Sequence, residues 1–146
     1  MVDAFYKVYA ARDSQRLGDF FHPDIVWTIS GPVDILPYCG THRGRAAVLD
    51  LIVKKVPSVF HSITFVAEAF LVDGDQLAML NRRSSRCVSD GRVISFRVAN
   101  FIRFRDDKVI ENLSLLDSFD AAEQVLGHSL TSHADRLATT GDLVAV

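Results

Sequence analysis

The sequence predicts an α+β fold in which N-terminal helices pack on a strongly curved, mostly antiparallel sheet. Two observations carry this. Apolar residues recur at helical spacing up to Pro57, and from Phe60 to Leu116 polarity alternates along the chain between turn signals. A layer of short helices against one long sheet buries the apolar side of each. A sheet that wraps small helices also leaves a hollow, so a pocket is expected between the two layers.

Val2, Phe5, Tyr6 and Tyr9 share one face of a first helix. Asp13 or Ser14 caps a second helix carrying Leu17, Phe20 and Phe21, which ends at His22-Pro23 because a residue before proline avoids the helical region. In the strand Ile25–Ser30, Trp27 and Ile29 point to the core and Thr28 away. The stretch Gly31–Gly40 is a loop by its glycines and prolines, yet it is apolar enough to lie over something. Arg43-Gly44 opens a third helix with a buried stripe of Val48, Leu49, Leu51, Ile52 and Val56.

Val72-Asp73-Gly74 is expected to close a first hairpin as a three-residue loop, with Ile63, Phe65, Ala67, Ala69 and Leu71 on one face and Glu68 outward. The run Leu77–Phe104 is a second, longer hairpin. Asp90-Gly91 suits a two-residue loop, a register that sets Asn81 opposite Asn100 and Arg83 opposite Val98. Phe96, Val98, Ile102 and Phe104 then face inward together with Asn100, an amide in an apolar row. After the turn Arg105–Lys108 two registers stand open: a two-residue loop turns Val109, Glu111, Leu113 and Leu115 inward, a three-residue loop Ile110, Asn112, Ser114 and Leu116. Asp117 or Ser118 caps a last helix, Phe119–Leu126, that Gly127 ends.

At 146 residues the chain is one domain. A net charge of −2 with dispersed arginines supplies no field for nucleic acid or an anionic membrane. No apolar run approaches the roughly 20 residues that span a bilayer, and the N-terminus lacks a secretory pattern, so the expected location is the cytoplasm. Cys39 and Cys87 lack metal-ligand spacing and read as free buried thiols. No metal and no cofactor is expected. A homodimer is expected, because a broad antiparallel sheet usually covers its second face and Leu80 and Phe101 are apolar spots among the outward arginines.

The words Phe21-His22-Pro23-Asp24-Ile25-Val26-Trp27, Leu36–Arg45 and Phe104–Val109, with this order of elements, resemble the SnoaL-like, ketosteroid-isomerase-like members of the NTF2-like superfamily. The resemblance spans roughly residues 2 to 126, so 1–127 are taken as the domain and 128–146 as a tail, loose or a short docked helix. It implies an NTF2-like (cystatin-like) cone with a deep pocket, dimerising through the outer sheet face. Members include isomerases, epoxide hydrolases, polyketide cyclases, dehydratases and binding proteins, so fold does not fix function. In ketosteroid isomerases a tyrosine on the first helix and a protonated aspartate on a long strand donate to an oxyanion, and an aspartate ending the first strand is the base. The matching positions here are Phe5, with Tyr6 beside it, Asn100 and Ile29. The base is thus missing, and one donor is altered. The same matching favours Asn81, Arg83, Asn112 and Ser114 on the inner face.

The resulting ligand-binding candidates are Asn100, Trp27, Tyr38, Arg83, Asn81 and Asn112. Asn100 either donates to a ligand or is a core amide satisfied by Asn81 or Asn112. Arg83, if inward, asks for a carboxylate, phosphate or polarised carbonyl; otherwise a bulge takes it to solvent. Tyr38 closes the pocket mouth or packs on the third helix, and Trp27 packs in the core or stacks on a ligand. His42 and His61 read as rim bases or as ordinary surface histidines, and Asp117 as a cap sooner than a cavity acid. No catalytic residue is assigned. Two functions fit: an isomerase, hydrolase or cyclase acting on a small, mostly apolar carbonyl- or carboxylate-bearing ligand, or a non-catalytic ligand-binding or dimerising module.

Overall fold

The structure, a computed structural model, describes residues 2–130. The helical layer is α1 (Val2–Ala11), α2 (Ser14–Phe20) and α3 (Arg45–Asp50), which runs on as a π-helical turn over Leu51–Lys55; α4 (Ser118–Leu126) follows the sheet. The strands are β1 (Phe21–Ser30), β2 (Gly40–Arg43), β3 (Phe60–Asp73), β4 (Gln76–Cys87), β5 (Val93–Arg105) and β6 (Lys108–Leu116), in the spatial order β2-β1-β6-β5-β4-β3. All pairs are antiparallel except β1 with β6. Past α4, residues 128–130 have no regular secondary structure; the rest of the expected tail, 131–146, and the Tyr6 side chain lie outside the described residues. Among those described, no helix is long and apolar enough to cross a membrane.

Helix boundaries follow local chemistry. Asp13 caps α2 by accepting from the Arg16 N–H at 3.1 Å, and Asp117 caps α4 by accepting from the Asp120 N–H. The π-helical turn adds a residue to α3, and Val48, Leu51, Ile52 and Val56 all reach the core. The apolar loop does lie over something: Leu36, Tyr38 and Cys39 are buried. A Cβ at Gly31 would sit 2.6 Å from the Cys39 sulfur, so this loop closes only over glycine. Strand β2 was not anticipated, since four residues are too short to show alternation, and β1 begins at Phe21, earlier than its proline suggested.

Two registers differ from the expectation. The β4–β5 connection is four residues, Val88 to Gly91, closed by the Cys87 N–H to the Arg92 carbonyl at 2.8 Å. Asp90 bonds the Arg92 N–H, and Gly91 takes a φ of +74° at the end of this longer turn. Asn81 therefore pairs with Val98 and Arg83 with Phe96. The slip is two residues, an even number, so every side chain keeps its expected face. The β3–β4 loop is two residues, Gly74-Asp75, not three. A bulge between Ala67 and Ala69 absorbs the difference and turns Leu71 outward, where it is 76% exposed.

In β6 both open alternatives are present, one on each side of a bulge. Asp106-Asp107, both with positive φ, make a two-residue turn that pairs Arg105 with Lys108 and Phe104 with Val109. Past Ile110 the register changes by one, so Asn112 pairs with Ile102 and Ser114 with Asn100. Val109 and Ile110 are consecutive and both buried. Bulges of this kind bend and twist a strand, and two of them curve the long strands around the helices. On the convex side Glu68, at the β3 bulge, accepts from Arg82 at 2.9 Å and Arg97 at 2.8 Å, clamping β3, β4 and β5 together.

Since the Asp117 carboxylate caps α4 and does not line the cavity, Asp117→Ala should lower the unfolding free energy by about 1 kcal/mol in urea melts while leaving the Trp27 emission spectrum unchanged.

Candidate functional site

The concave face of β4, β5, β6 and β1 carries a polar row inside an apolar wall. Asn81, Asn100, Asn112, Ser114 and Trp27 are all buried there. Asn81 Nδ2 donates to Asn100 Oδ1 at 3.3 Å. Asn100 Nδ2 in turn donates to Asn112 Oδ1 at 3.1 Å and Ser114 Oγ at 2.7 Å. Trp27 Nε1 donates to the same Ser114 oxygen at 2.9 Å. Asn100 thus commits both amide hydrogens to its neighbours and organises the row. Because an indole and an amide nitrogen only donate, Ser114 accepts twice and keeps its hydroxyl hydrogen, and Asn112 keeps its amide hydrogens.

Arg83 is inward and 6% exposed. Its Nε donates to Ser85 Oγ at 3.0 Å. Its guanidinium carbon lies 4.6 Å from the Phe60 ring centroid, 5.4 Å from Tyr38 and 5.5 Å from Phe96, each within cation–π range. Among the described residues it has no ion-pair partner, and Nη2 is buried without a hydrogen bond, as is the Tyr38 hydroxyl. A buried charge without a counter-ion costs on the order of several kcal/mol. The aromatic cage and Ser85 offset only part of that.

The phenols of Tyr9 and Tyr38 are both pushed above their ordinary range by burial, with Arg83 pulling each back in part. Burial also lifts the Cys39 thiol to about 11 against the same opposing charge. At neutral pH these groups therefore carry their protons. Tyr38 does not close a mouth: it is fully buried and packs on Phe60 at 5.8 Å between centroids. His42 is not a surface histidine, being 6% exposed with Nε2 3.0 Å from the Tyr38 carbonyl, whereas His61 is exposed. Glu111 faces outward onto Arg103 at 2.6 Å.

Two small chambers lie inside the cone. One, about 50 Å³, is lined by Trp27, Tyr38, Arg83, Asn100, Asn112 and Ser114 together with apolar groups such as Ile29, Phe65 and Val98. The other, about 40 Å³, is lined by Phe20, Phe21, Leu77, Met79 and Phe104. Phe5, Ile102 and Asn112 border both. A single water needs roughly 10 to 15 Å³ of such space, so each chamber holds a few atoms. A much larger groove of about 640 Å³ lies on the outer face around Leu71, Ala78, Phe101 and Leu113, and of the polar row it touches Asn112. The inner chambers have the convergent polar groups and are the better candidate site, despite their size.

All six candidates thus lie in or behind one wall: five line the inner chamber, and Asn81 supports Asn100 from behind. Ser114 and Phe96 were placed on the inner face without a role, and Ser85 and Phe60 were not singled out. With the true register, Phe96 is directly opposite Arg83 and Ser85 two residues along on the same face, so both were within reach of pattern reasoning. Phe60 was not, since nothing local ties it to Arg83. Among the described residues, no group of three His, Cys, Asp or Glu side chains could hold a metal ion.

The sequence model of the SnoaL-like domain matches residues 2–112. No curated protein sequence matches. Among solved structures, a protein of Rhodopseudomonas palustris provisionally assigned as an isomerase is 28% identical, with a TM-score of 0.76 over 87% of this chain and 93% of that one. TerC, co-crystallised with polyporic acid, is 20% identical with a TM-score of 0.76 over 86% and 95%. A SnoaL-like protein of Shewanella denitrificans OS-217, provisionally assigned as a polyketide cyclase, is 14% identical with a TM-score of 0.69 over 85% and 93%. The last two share the fold.

Removing a buried hydroxyl that bonds nothing should help the empty protein. Tyr38→Phe is expected to raise the unfolding free energy at pH 7 by about 1 kcal/mol, and a loss of stability would show the hydroxyl is already engaged. The raised values also set an alkaline limit. The folded state holds these protons more tightly than the unfolded chain, so stability is full below the ordinary values, 9.0 for the thiol and 10.0 for the phenols. It falls as pH rises beyond them, for Cys39 between 9.0 and about 11. Urea midpoints across that range should drop in the wild type and drop less steeply in Cys39→Ala.

Proposed function

From the premise that the chain belongs to the SnoaL-like domain family, whose model covers residues 2–112, we propose that it binds a small, mostly apolar ligand through a carbonyl or carboxylate oxygen. One observation carries this: the groups left over at the inner chamber are donors. Ser114 retains a hydroxyl hydrogen, Asn112 its amide hydrogens, Tyr38 its hydroxyl and Arg83 its Nη2. A ligand atom that satisfies such a wall must bring lone pairs and need not bring hydrogens. In this reading Asn100 and Asn81 aim the donors, Trp27 fixes Ser114 as an acceptor, and the remaining wall excludes water.

A second reading, an isomerase, hydrolase or cyclase, rests on the same donors, which would also stabilise an oxyanion. It needs a proton acceptor from elsewhere, because among the described residues the chamber is lined by neither carboxylate nor histidine and Ile29 stands where the isomerases of this fold have their base. We further propose a cytoplasmic homodimer. Free buried Cys39 and Cys87 suit a reducing compartment. The outer groove carries Leu71, Phe101 and Leu113, which are 76%, 50% and 39% exposed, and a second copy would cover them.

Cyclopentanone, a compact ketone without hydrogens to donate, should shift the emission of Trp27, and Asn100→Leu should weaken its binding by roughly 1 to 3 kcal/mol. Binding unaffected by that substitution would contradict the donor-wall reading. Steroid double-bond isomerisation is expected to be absent, since a positioned base contributes about 100 to 10,000-fold and the chamber, about 50 Å³, does not admit a steroid. Turnover of a 5-ene-3-ketosteroid by purified protein would contradict both arguments. Light scattering should give a dimer mass, and Phe101→Glu a monomer; a monomeric wild type would remove the dimer.

A further inference from the structure

We propose that the Arg83 end of the inner chamber is an anion subsite, so that the ligand is a singly charged carboxylic acid on an apolar body. The inference rests on the ligand-binding reading above and narrows it, since a donor wall alone would take a neutral ketone equally well. Three features separate this end of the chamber from the rest. Arg83 is 6% exposed and has no ion-pair partner among the described residues, so it holds a full positive charge that none of them neutralises. Its Nη2 and the Tyr38 hydroxyl are both buried and unbonded. The Phe60, Tyr38 and Phe96 rings and the Ser85 bond fix the guanidinium in one orientation, which preorganises it for a planar acceptor.

The charge count sets the class of anion. Among the described residues Arg83 is the one cation lining this chamber, and none of them that line it is a histidine or lysine. A carboxylate matches one guanidinium in charge and in its two-oxygen edge; a dianionic phosphate would leave a charge uncompensated in the same apolar surroundings. The body of the ligand is set by the remaining wall. Phe5 and Ile102 border this chamber and also the second, around Leu77, Met79 and Phe104, whose lining is otherwise mostly apolar with the Asp107 carboxylate at one place. A short chain leaving the carboxylate would run past them from one chamber to the other. The chambers, about 50 and 40 Å³, admit a slender chain more readily than a fused ring system.

Hexanoate and hexanamide have nearly the same shape and differ in charge, so they separate the anion subsite from the donor wall. Calorimetric titration of the full chain should show hexanoate binding at least about tenfold tighter than hexanamide. Arg83→Met, which keeps length and loses charge, should bring the two within about twofold of each other, whereas Arg83→Lys should retain a preference for the acid. The wild-type comparison needs no variant, so it decides even if Arg83→Met fails to fold. Equal affinity of wild type for both probes overturns the anion subsite; if Asn100→Leu still weakens hexanamide, the broader ligand reading survives that result. Failure of both probes to bind at about 10 mM overturns the two together. A preference for hexanoate that persists in folded Arg83→Met places the anion elsewhere and overturns the assignment to Arg83.

Discussion

The amide relay from Asn81 through Asn100 to Asn112 and Ser114, met from the far side by the Trp27 indole, crosses four adjacent strands on the inside of the sheet. Each member is buried, and each depends on a neighbour on another strand. Sliding β4, β5, β6 or β1 by one residue would turn its member outward and leave the others unbonded, at roughly 1 to 3 kcal/mol for each orphaned group. The alternation of polarity already opposes such slips, because they would also carry Arg82 and Arg97 from the outer face inward. The relay adds to that selection, because a slip of two residues would keep every side chain on its face and still break these bonds. It also decides which polar hydrogens are left over, and those are the ones at the chamber.

Arg83 stands in a different relation to the fold. The relay's members bond one another across strands; the guanidinium has a single hydrogen bond among the described residues. Its cage of Phe60, Tyr38 and Phe96 supplies cation–π attraction but no counter-charge, and Ser85 is its only hydrogen-bond partner among the described residues. Replacing it by an apolar side chain would be expected to stabilise a protein that had no other use for it. Retaining a buried cation and an unbonded phenol in the same chamber is the pattern of a site held ready for a ligand at some cost to the empty state.

The fold class and the inner face were legible in the sequence because alternation survives any error of two residues. Asn81, Arg83, Phe96, Val98 and Asn100 face inward although the β4–β5 turn was assigned the wrong length. What alternation cannot show is a change of parity within a strand. The Ile110 bulge made both readings of β6 correct in part, and the bulge at Glu68 sent Leu71 to the outer face. Neither bulge has a glycine or a turn signal; each exists because the curved sheet needs local bending, a demand of tertiary shape. The four residues of β2 were equally silent. His42 looked like a surface residue because its partner, the Tyr38 carbonyl, is a backbone group in an irregular loop. Chamber size was beyond the sequence, since it depends on how closely Phe5, Ile102 and Asn112 approach across elements far apart in the chain.

The most direct test is a high-resolution crystal structure of the protein as purified from cells, with attention to the space beside Arg83. We expect the guanidinium in its aromatic cage and an acceptor atom of a bound molecule within about 3.2 Å of Nη2, with the relay from Asn81 to Ser114 intact behind it. Arg83 turned out of the cage onto a protein carboxylate or into solvent, with side chains closing the chamber, would contradict the account.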